Sequence, residues 1–320
     1  MEPILYLIIP CYNEEKVLPI TSELFLEKIK KLIKNKEISE DSKIVFVNDG
    51  SNDSTYQIIE KLSCEHKNIE GISLSRNRGH QNALLCGLLE TKDKCDMSIS
   101  IDCDGQDDIN AIDEMIKEYK KGNEIVYGVR KSRKKDTFFK RNTALAYYKL
   151  LQFIGIEIIY NHADYRLLSS KVLNHLNDYK EVNLFLRGII PLIGFKYSCV
   201  YYDRNERISG KSHYPLKKML LLAFDGITSL SIQPIRIIMS LGIIISIFSV
   251  FSIIWAIVKH SSNDTAWGWS SLISFISFFG GLQLFSTGII GEYIGKIYLE
   301  TKQRPRYIVD KTTFNKDEKH

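Results

Sequence analysis

Two apolar patterns alternate through the first half of the chain, and this alternation limits the fold more than any other feature. Short β-rich runs occur at residues 4–9, 43–48, 69–75, 97–102 and 124–129. Segments with helical spacing lie between them at 19–34, 54–64, 81–90 and 109–121. Strand and helix in this order predict an α/β fold with a mostly parallel sheet and helices on both faces. Ligands of such sheets collect beyond the carboxyl ends of the strands. Four of the runs end in polar clusters: "PCYNEE" from Pro10, "NDGSND" from Asn48, "SRNRGHQ" from Ser75 and "DCDGQDD" from Asp102. One acidic cluster alone is usually a solvated loop. Four polar clusters on one edge of one sheet predict a binding site.

The second half carries a different signal. Residues 237–258 and 265–291 contain no charged side chain, and each exceeds the roughly 20 residues that span a hydrocarbon core. A short polar loop, 259–264, joins them. They are expected to form a two-helix transmembrane hairpin, which divides the chain into residues 1–232, 233–291 and 292–320. Lys211, Lys217, Lys218 and Arg236 precede the first run, and Lys296, Lys302, Arg304 and Arg306 follow the second. Only Lys259 lies in the loop. The bias predicts cytoplasmic termini and a cytoplasmic N-terminal domain on the inner (plasma) membrane. Residues 134–153 and 214–231 mix cations with aromatic and aliphatic residues and are expected to be interfacial amphipathic helices. Residues 4–9 are too short for the apolar region of a signal peptide.

Bulk properties exclude some classes. A chain of 320 residues with net charge +5 and no basic stripe interleaved with aromatics is not expected to bind nucleic acid. Six cysteines without C-x-x-C spacing read as reduced thiols rather than a disulfide framework.

The chemistry centres on Asp102 and Asp104, an Asp-x-Asp pair followed by Gln106 and Asp107. Carboxylates this close repel unless a cation neutralises them. Mg²⁺ and Mn²⁺ accept such oxygen ligands, and Mg²⁺ is commonly held by one or two carboxylates together with substrate phosphates. The pair therefore suits a diphosphate-bearing substrate. Two phosphate motifs are set aside. Gly210-Lys211-Ser212 lacks the upstream glycine of a P-loop, since position 205 is Asn. No G-x-G-x-x-G follows the first strand, so a dinucleotide site is not expected.

Taken in order, "IIPCYNEE", "VNDGSND", "SRNRGHQNALLCGL", "IDCDGQD", "ADYRLLSS" and "GKSHYPLKKML" resemble the family 2 glycosyltransferases of GT-A (Rossmann-like) fold. The hairpin and "GEYIGKIYLETKQRPRY" narrow the resemblance to polyisoprenyl-phosphate glycosyltransferases of the bactoprenol glucosyltransferase type, related to dolichyl-phosphate mannose synthases. The resemblance implies that Pro10, Tyr12, Glu14, Asp49, Asp102 and Gln81 bind the nucleotide sugar. It implies that Asp102, Asp104 and Gln106 hold Mg²⁺ or Mn²⁺, and that Asp104, Asp164 and Arg166 are catalytic. Arg130, Arg133, Arg141, Arg207, Lys211, Ser212 and His213 would meet the acceptor phosphate. The implied reaction moves glucose from UDP-glucose to undecaprenyl phosphate with inversion, making a lipid-linked sugar for cell-envelope glycosylation. GDP-mannose with a dolichyl or other polyprenyl phosphate, and non-processive polysaccharide glycosyl transfer, are the alternatives. A homo-oligomer and a downstream flippase for the lipid-linked sugar are the further partners implied.

The chain departs from the family pattern at Gly105 and Asp108, where Leu and Pro are usual, at Arg78, where an aromatic is common, and at His213, where Lys is frequent. A processive polysaccharide synthase is disfavoured because no Gln-x-x-Arg-Trp occurs. A non-catalytic membrane scaffold would have no use for Asp49, Asp102, Asp104 and Gln106 together at strand ends. The acceptor, a phosphate monoester largely ionised at neutral pH, needs little help from a general base. Asp164 is accordingly expected to orient the acceptor or stabilise charge on the sugar.

Overall fold

The computed structural model describes residues 2–131, 162–182, 185–205, 228, 233–261 and 269–314. The expected interfacial helix at 134–153, almost all of that at 214–231, and the polar loop from 262 on lie outside the described residues. Two compact units emerge. One comprises Met1–Gln152, Glu157–Pro215 and Arg304–His320, the other Phe153–Ile156 and Leu216–Gln303.

The first unit is an α/β domain on a mixed, mostly parallel sheet. Its strands are β1 (Leu5–Cys11), β2 (Lys43–Asn48), β3 (Ile69–Leu74), β4 (Met97–Ser100), β5 (Ile125–Arg130), β6 (His162–Ser169), β7 (Tyr197–Tyr202) and β8 (Val309–Thr312), in spatial order 7-5-6-4-1-2-3-8. Helices α1 (Leu18–Lys34), α2 (Thr55–Glu65), α3 (His80–Glu90) and α4 (Ala111–Lys120) fall where helical spacing predicts them. Shorter helices α5 (Ser170–Leu176) and α6 (Leu186–Leu192) follow β6.

Alternation along the strands builds two cores. Leu5, Leu7, Ile9 and Cys11 face one core with Ile44 and Phe46, while Tyr6 and Ile8 face the other with Val45 and Val47. Successive side chains of a strand point to opposite faces, so a strand buried on both faces reads as a continuous apolar run. On the first face Lys28 of α1, 6% exposed, is held by Asp113 of α4 at 2.7 Å. A buried ammonium requires such a partner.

Three strands were not legible in the alternation. β6 runs antiparallel between β4 and β5, and β7 extends the sheet parallel to β5. β8 comes from the far end of the chain and pairs antiparallel with β3. Thr313 fastens it, accepting from the Gly71 amide at 2.7 Å and donating to Glu70 Oε2 at 2.8 Å.

The second unit contains two long helices in contact, α7 (Gln233–Ser261) and α8 (Trp269–Thr301). At 1.5 Å per residue their 29 and 33 residues reach about 43 and 50 Å. Among the described residues, no helix is long and apolar enough to cross a membrane. Many large apolar side chains nevertheless face outward, among them Ile244, Phe251, Leu284 and Phe285. Lys296, a polar exception, donates to Thr228 Oγ1 at 2.6 Å.

Candidate active site

The sheet register brings the site together. β4 and β6 pair with Ser100 opposite Arg166, so two further residues in each direction bring Asp102 and Asp164 to the same edge. Ser100 Oγ donates to the Asp164 carbonyl at 2.5 Å, fixing that end. His80, first residue of α3, enters between the two carboxylates: its Nε2 stands 3.6 Å from Asp102 Oδ1 and 3.7 Å from Asp164 Oδ2.

Asp164 is the most strongly held acid of the site. It is 8% exposed, and Arg166, 1% exposed, donates to its Oδ1. Arg187 of α6 grips it with two bonds, Nε to Oδ1 at 3.1 Å and Nη2 to Oδ2 at 2.8 Å. Burial pushes this carboxyl up, but Arg187 and Arg166 outweigh burial and hold it well below the usual carboxylate range. A group held so firmly ionised is a poor proton acceptor and a good fixed negative charge.

Asp102 is moved the other way. Desolvation raises its carboxyl above the ordinary value, His80 opposes, and Asp107, Asp164 and Asp104 add to the rise, although its side chain is 38% exposed. Three further carboxylates, Asp104, Asp107 and Asp164, thus lie close enough to act on Asp102. Asp104 caps its own turn by accepting from the Gln106 amide at 3.1 Å. Among the described residues no three His, Cys, Asp or Glu side chains converge as a self-sufficient metal cage. Asp102 and Asp104, two residues apart at a strand end, instead fit a divalent ion completed by substrate phosphate.

The remaining expected residues occupy varied settings. Pro10 is buried in β1 against Val47, and Tyr12 beyond it is 43% exposed. The Glu14 amide is bound by Thr55 Oγ1 at 2.9 Å, one of several ties between the loops after β1 and β2. Asp49 is 3% exposed and accepts from the amides of Arg78 and Gly79 at 2.7 and 2.9 Å. It thereby pins the loop that delivers His80. Gln81 does similar work, its Oε1 accepting from the Leu186 amide at 2.9 Å, next to Arg187. Gln106 is bonded by Arg204, and its carbonyl accepts from the Asn205 amide at 2.8 Å. Arg130 reaches Asp107 at 3.4 Å and the Tyr202 hydroxyl at 3.3 Å. Arg133, Arg141, Arg207, Lys211, Ser212 and His213 lie outside the described residues.

His80 and Arg187 escaped the reading of the sequence. His80 stood in a strand-end cluster and at a helix start, which could have singled it out. Arg187 lies in an apolar stretch with no motif around it, and only folding brings it to Asp164. Asp107 was noted beside the Asp-x-Asp pair but given no role. It is 4% exposed and takes a 2.5 Å bond from Tyr202 on β7.

Gly50 sets the spacing between the loops after β2 and β3. It has φ +61°, and a methyl group there would fall on the backbone of Arg76 and Asn77. Gly50→Ala is expected to cost about 2–4 kcal/mol through left-handed strain and backbone overlap. A thermal unfolding midpoint equal to that of the unaltered protein would refute this close approach.

Comparison with known proteins identifies the family. Residues 6–176 match the description "Glycosyl transferase family 2". The chain belongs to this family. As a family 2 glycosyltransferase it also matches "GtrB C-terminal hairpin" over residues 233–297, which covers α7 and most of α8. It is 51% identical to "Uncharacterized glycosyltransferase YkoT" of Bacillus subtilis, over 98% of this chain and 93% of that one. It is 37% identical to "Bactoprenol glucosyl transferase" of Shigella phage SfX, over 95% of this chain and 97% of that one. Among solved structures, "Mannosyltransferase PcManGT from Pyrobaculum calidifontis in complex with GDP-Man and Mn2+" aligns with 95% of this chain and 89% of its own. The TM-score of 0.42 and 13% identity make this too loose a likeness to inform the site.

Proposed function

We propose that this glycosyltransferase moves a hexose, glucose from UDP-glucose in the favoured reading, to a polyprenyl phosphate with inversion at the anomeric carbon. The observation that carries the reading is the convergence at one sheet edge of Asp102 and of Asp164, the latter gripped by Arg166 and Arg187. The bactoprenol glucosyl transferase relatives supply the acceptor class.

In this reading Pro10, Tyr12, Glu14, Asp49 and Gln81 frame the nucleoside end of the donor, directly or through the loops they hold. Asp102, Asp104 and Gln106 would bind Mg²⁺ or Mn²⁺, which neutralises the departing diphosphate. The acceptor phosphate is already a nucleophile, so the chain has to position it and screen charge. Asp164, kept ionised by two guanidiniums, supports positive charge on the sugar ring and does not remove a proton. Arg130 and the cations outside the described residues, Arg133, Arg141, Arg207, Lys211 and His213 with Ser212, are assigned to the acceptor phosphate.

The charge-free runs and outward apolar side chains of α7 and α8 support a membrane anchor. The excess of Lys and Arg flanking them supports a cytoplasmic catalytic domain. The test is transfer by the full chain in lipid, using labelled UDP-glucose, GDP-mannose and related donors with undecaprenyl and dolichyl phosphate. A lipid-linked hexose from UDP-glucose is expected. Hydrolysis alone, or transfer only to soluble glycans, would overturn the acceptor assignment.

A further inference from the structure

A cavity of about 430 Å³ opens at the carboxyl ends of β1, β2 and β3, within the range of small-molecule sites. Tyr12 and Arg76 belong to its wall, and so do Asp310 and Lys311 of β8. Consecutive residues of a regular strand point to opposite faces, so Asp310 and Lys311 should not share a cavity. They do because the strand is irregular there. Leu74 pairs with Val309 and Ser73 with Lys311, leaving Asp310 as an extra residue in a β-bulge. Bulges re-aim side chains and concentrate beside active sites. Among the described residues neither Asp310 nor Lys311 makes an ion pair or a side-chain hydrogen bond. The Lys311 ammonium stands 5.7 Å from the centre of the Tyr56 ring.

We infer that Asp310 and Lys311 read the base of the nucleoside diphosphate donor, and that they select a lactam edge. This rests on the proposed donor site, with the base against the exposed ring of Tyr12. A carboxylate only accepts hydrogen bonds and an ammonium only donates. Side by side they complement a ring N–H next to a carbonyl, the pattern of uracil and guanine. With Asp310 facing the ring nitrogen and Lys311 the exocyclic atom, the order this proposal requires, cytosine and adenine present the reversed pattern, a bare ring nitrogen to the carboxylate and an amino group to the ammonium, and are disfavoured. Asp49 is a weaker direct reader because it is buried and already holds two amides. The C-terminal segment beyond α8 thus returns to the catalytic domain as a specificity element.

The experiment is calorimetric titration of the full chain in nanodiscs with UDP, GDP, CDP and ADP. The protein is expected to bind UDP or GDP at least about tenfold more tightly than CDP and ADP, the scale of a charge-assisted hydrogen bond; whichever of the two binds better identifies the base. Asp310→Asn and Lys311→Met are each expected to weaken that diphosphate about tenfold, and Lys311→Arg to retain it. Asp310→Asn should also narrow the gap to CDP, since an amide can donate to the cytosine ring nitrogen. Both positions are exposed, so the variants should fold, and an unchanged thermal midpoint will verify it. Equal binding of all four diphosphates, or unchanged affinities in both variants, overturns the assignment to β8 alone. Failure of the unaltered protein to bind any nucleoside diphosphate overturns the donor site itself.

Discussion

Asp104→Asn is expected to lower glycosyl transfer by about 100- to 1000-fold, the range seen when one preorganised stabiliser of developing charge is removed. The substitution keeps the shape and the turn, because an amide oxygen can still accept from the Gln106 amide as Oδ1 does now at 3.1 Å. It removes one of the two negative charges that would attract the cation. Asp102 is already raised in proton affinity by desolvation, with Asp107, Asp164 and Asp104 adding to it. Removing Asp104 relieves part of that repulsion and leaves Asp102 as the one carboxylate of the pair. The same loss should follow treatment with EDTA and be reversed by Mg²⁺ or Mn²⁺. Full transfer in EDTA, or an Asp104→Asn variant as active as the parent, would remove the metal from the mechanism.

Arg166→Leu is expected to be the most damaging single change to stability, costing about 3–5 kcal/mol. Arg166 is 1% exposed and Asp164 8%, so the change leaves a buried carboxylate with one cation fewer. Its effect should depend on pH in a definite sense. The folded Asp164 carboxyl lies below its unfolded value. Its contribution is therefore complete above about pH 4 and declines as the pH falls towards the lowered folded value. Thermal midpoints in detergent at decreasing pH should drop for the parent, and Asp164→Asn should remove that share of the drop. In Arg166→Leu the loss should be smaller and end at higher pH, because with only Arg187 left the folded carboxyl lies closer to its unfolded value. A parent and an Asp164→Asn variant with parallel acid profiles would show that the pair contributes nothing to folding.

The contrast between these two sites explains what sequence reading reached. The parallel strands, their order in the chain and the polar clusters at their ends were legible because burial on both faces forces continuous apolar runs. Asp102, Asp104 and Asp49 were legible for the same reason, since each follows such a run directly. Asp164 and Arg166 came from resemblance, because β6 has no such run and lies among residues of mixed polarity. Gln81 was expected at the donor from the same resemblance, and its Oε1 accepts from the Leu186 amide.

By itself the sequence determined that a βα-alternating domain carries a carboxylate pair at a strand end, and that two charge-free segments follow it. These are local facts, set by the period of burial and by side-chain charge. Only the tertiary structure decided that β6 enters antiparallel and places Asp164 beside Asp102, that α6 delivers Arg187 to it, that His80 stands between the two acids, and that β8 returns to line the cavity. These depend on pairings between distant segments. Hydrogen-bond register and shared burial select those pairings, and neither leaves a periodic mark in the chain.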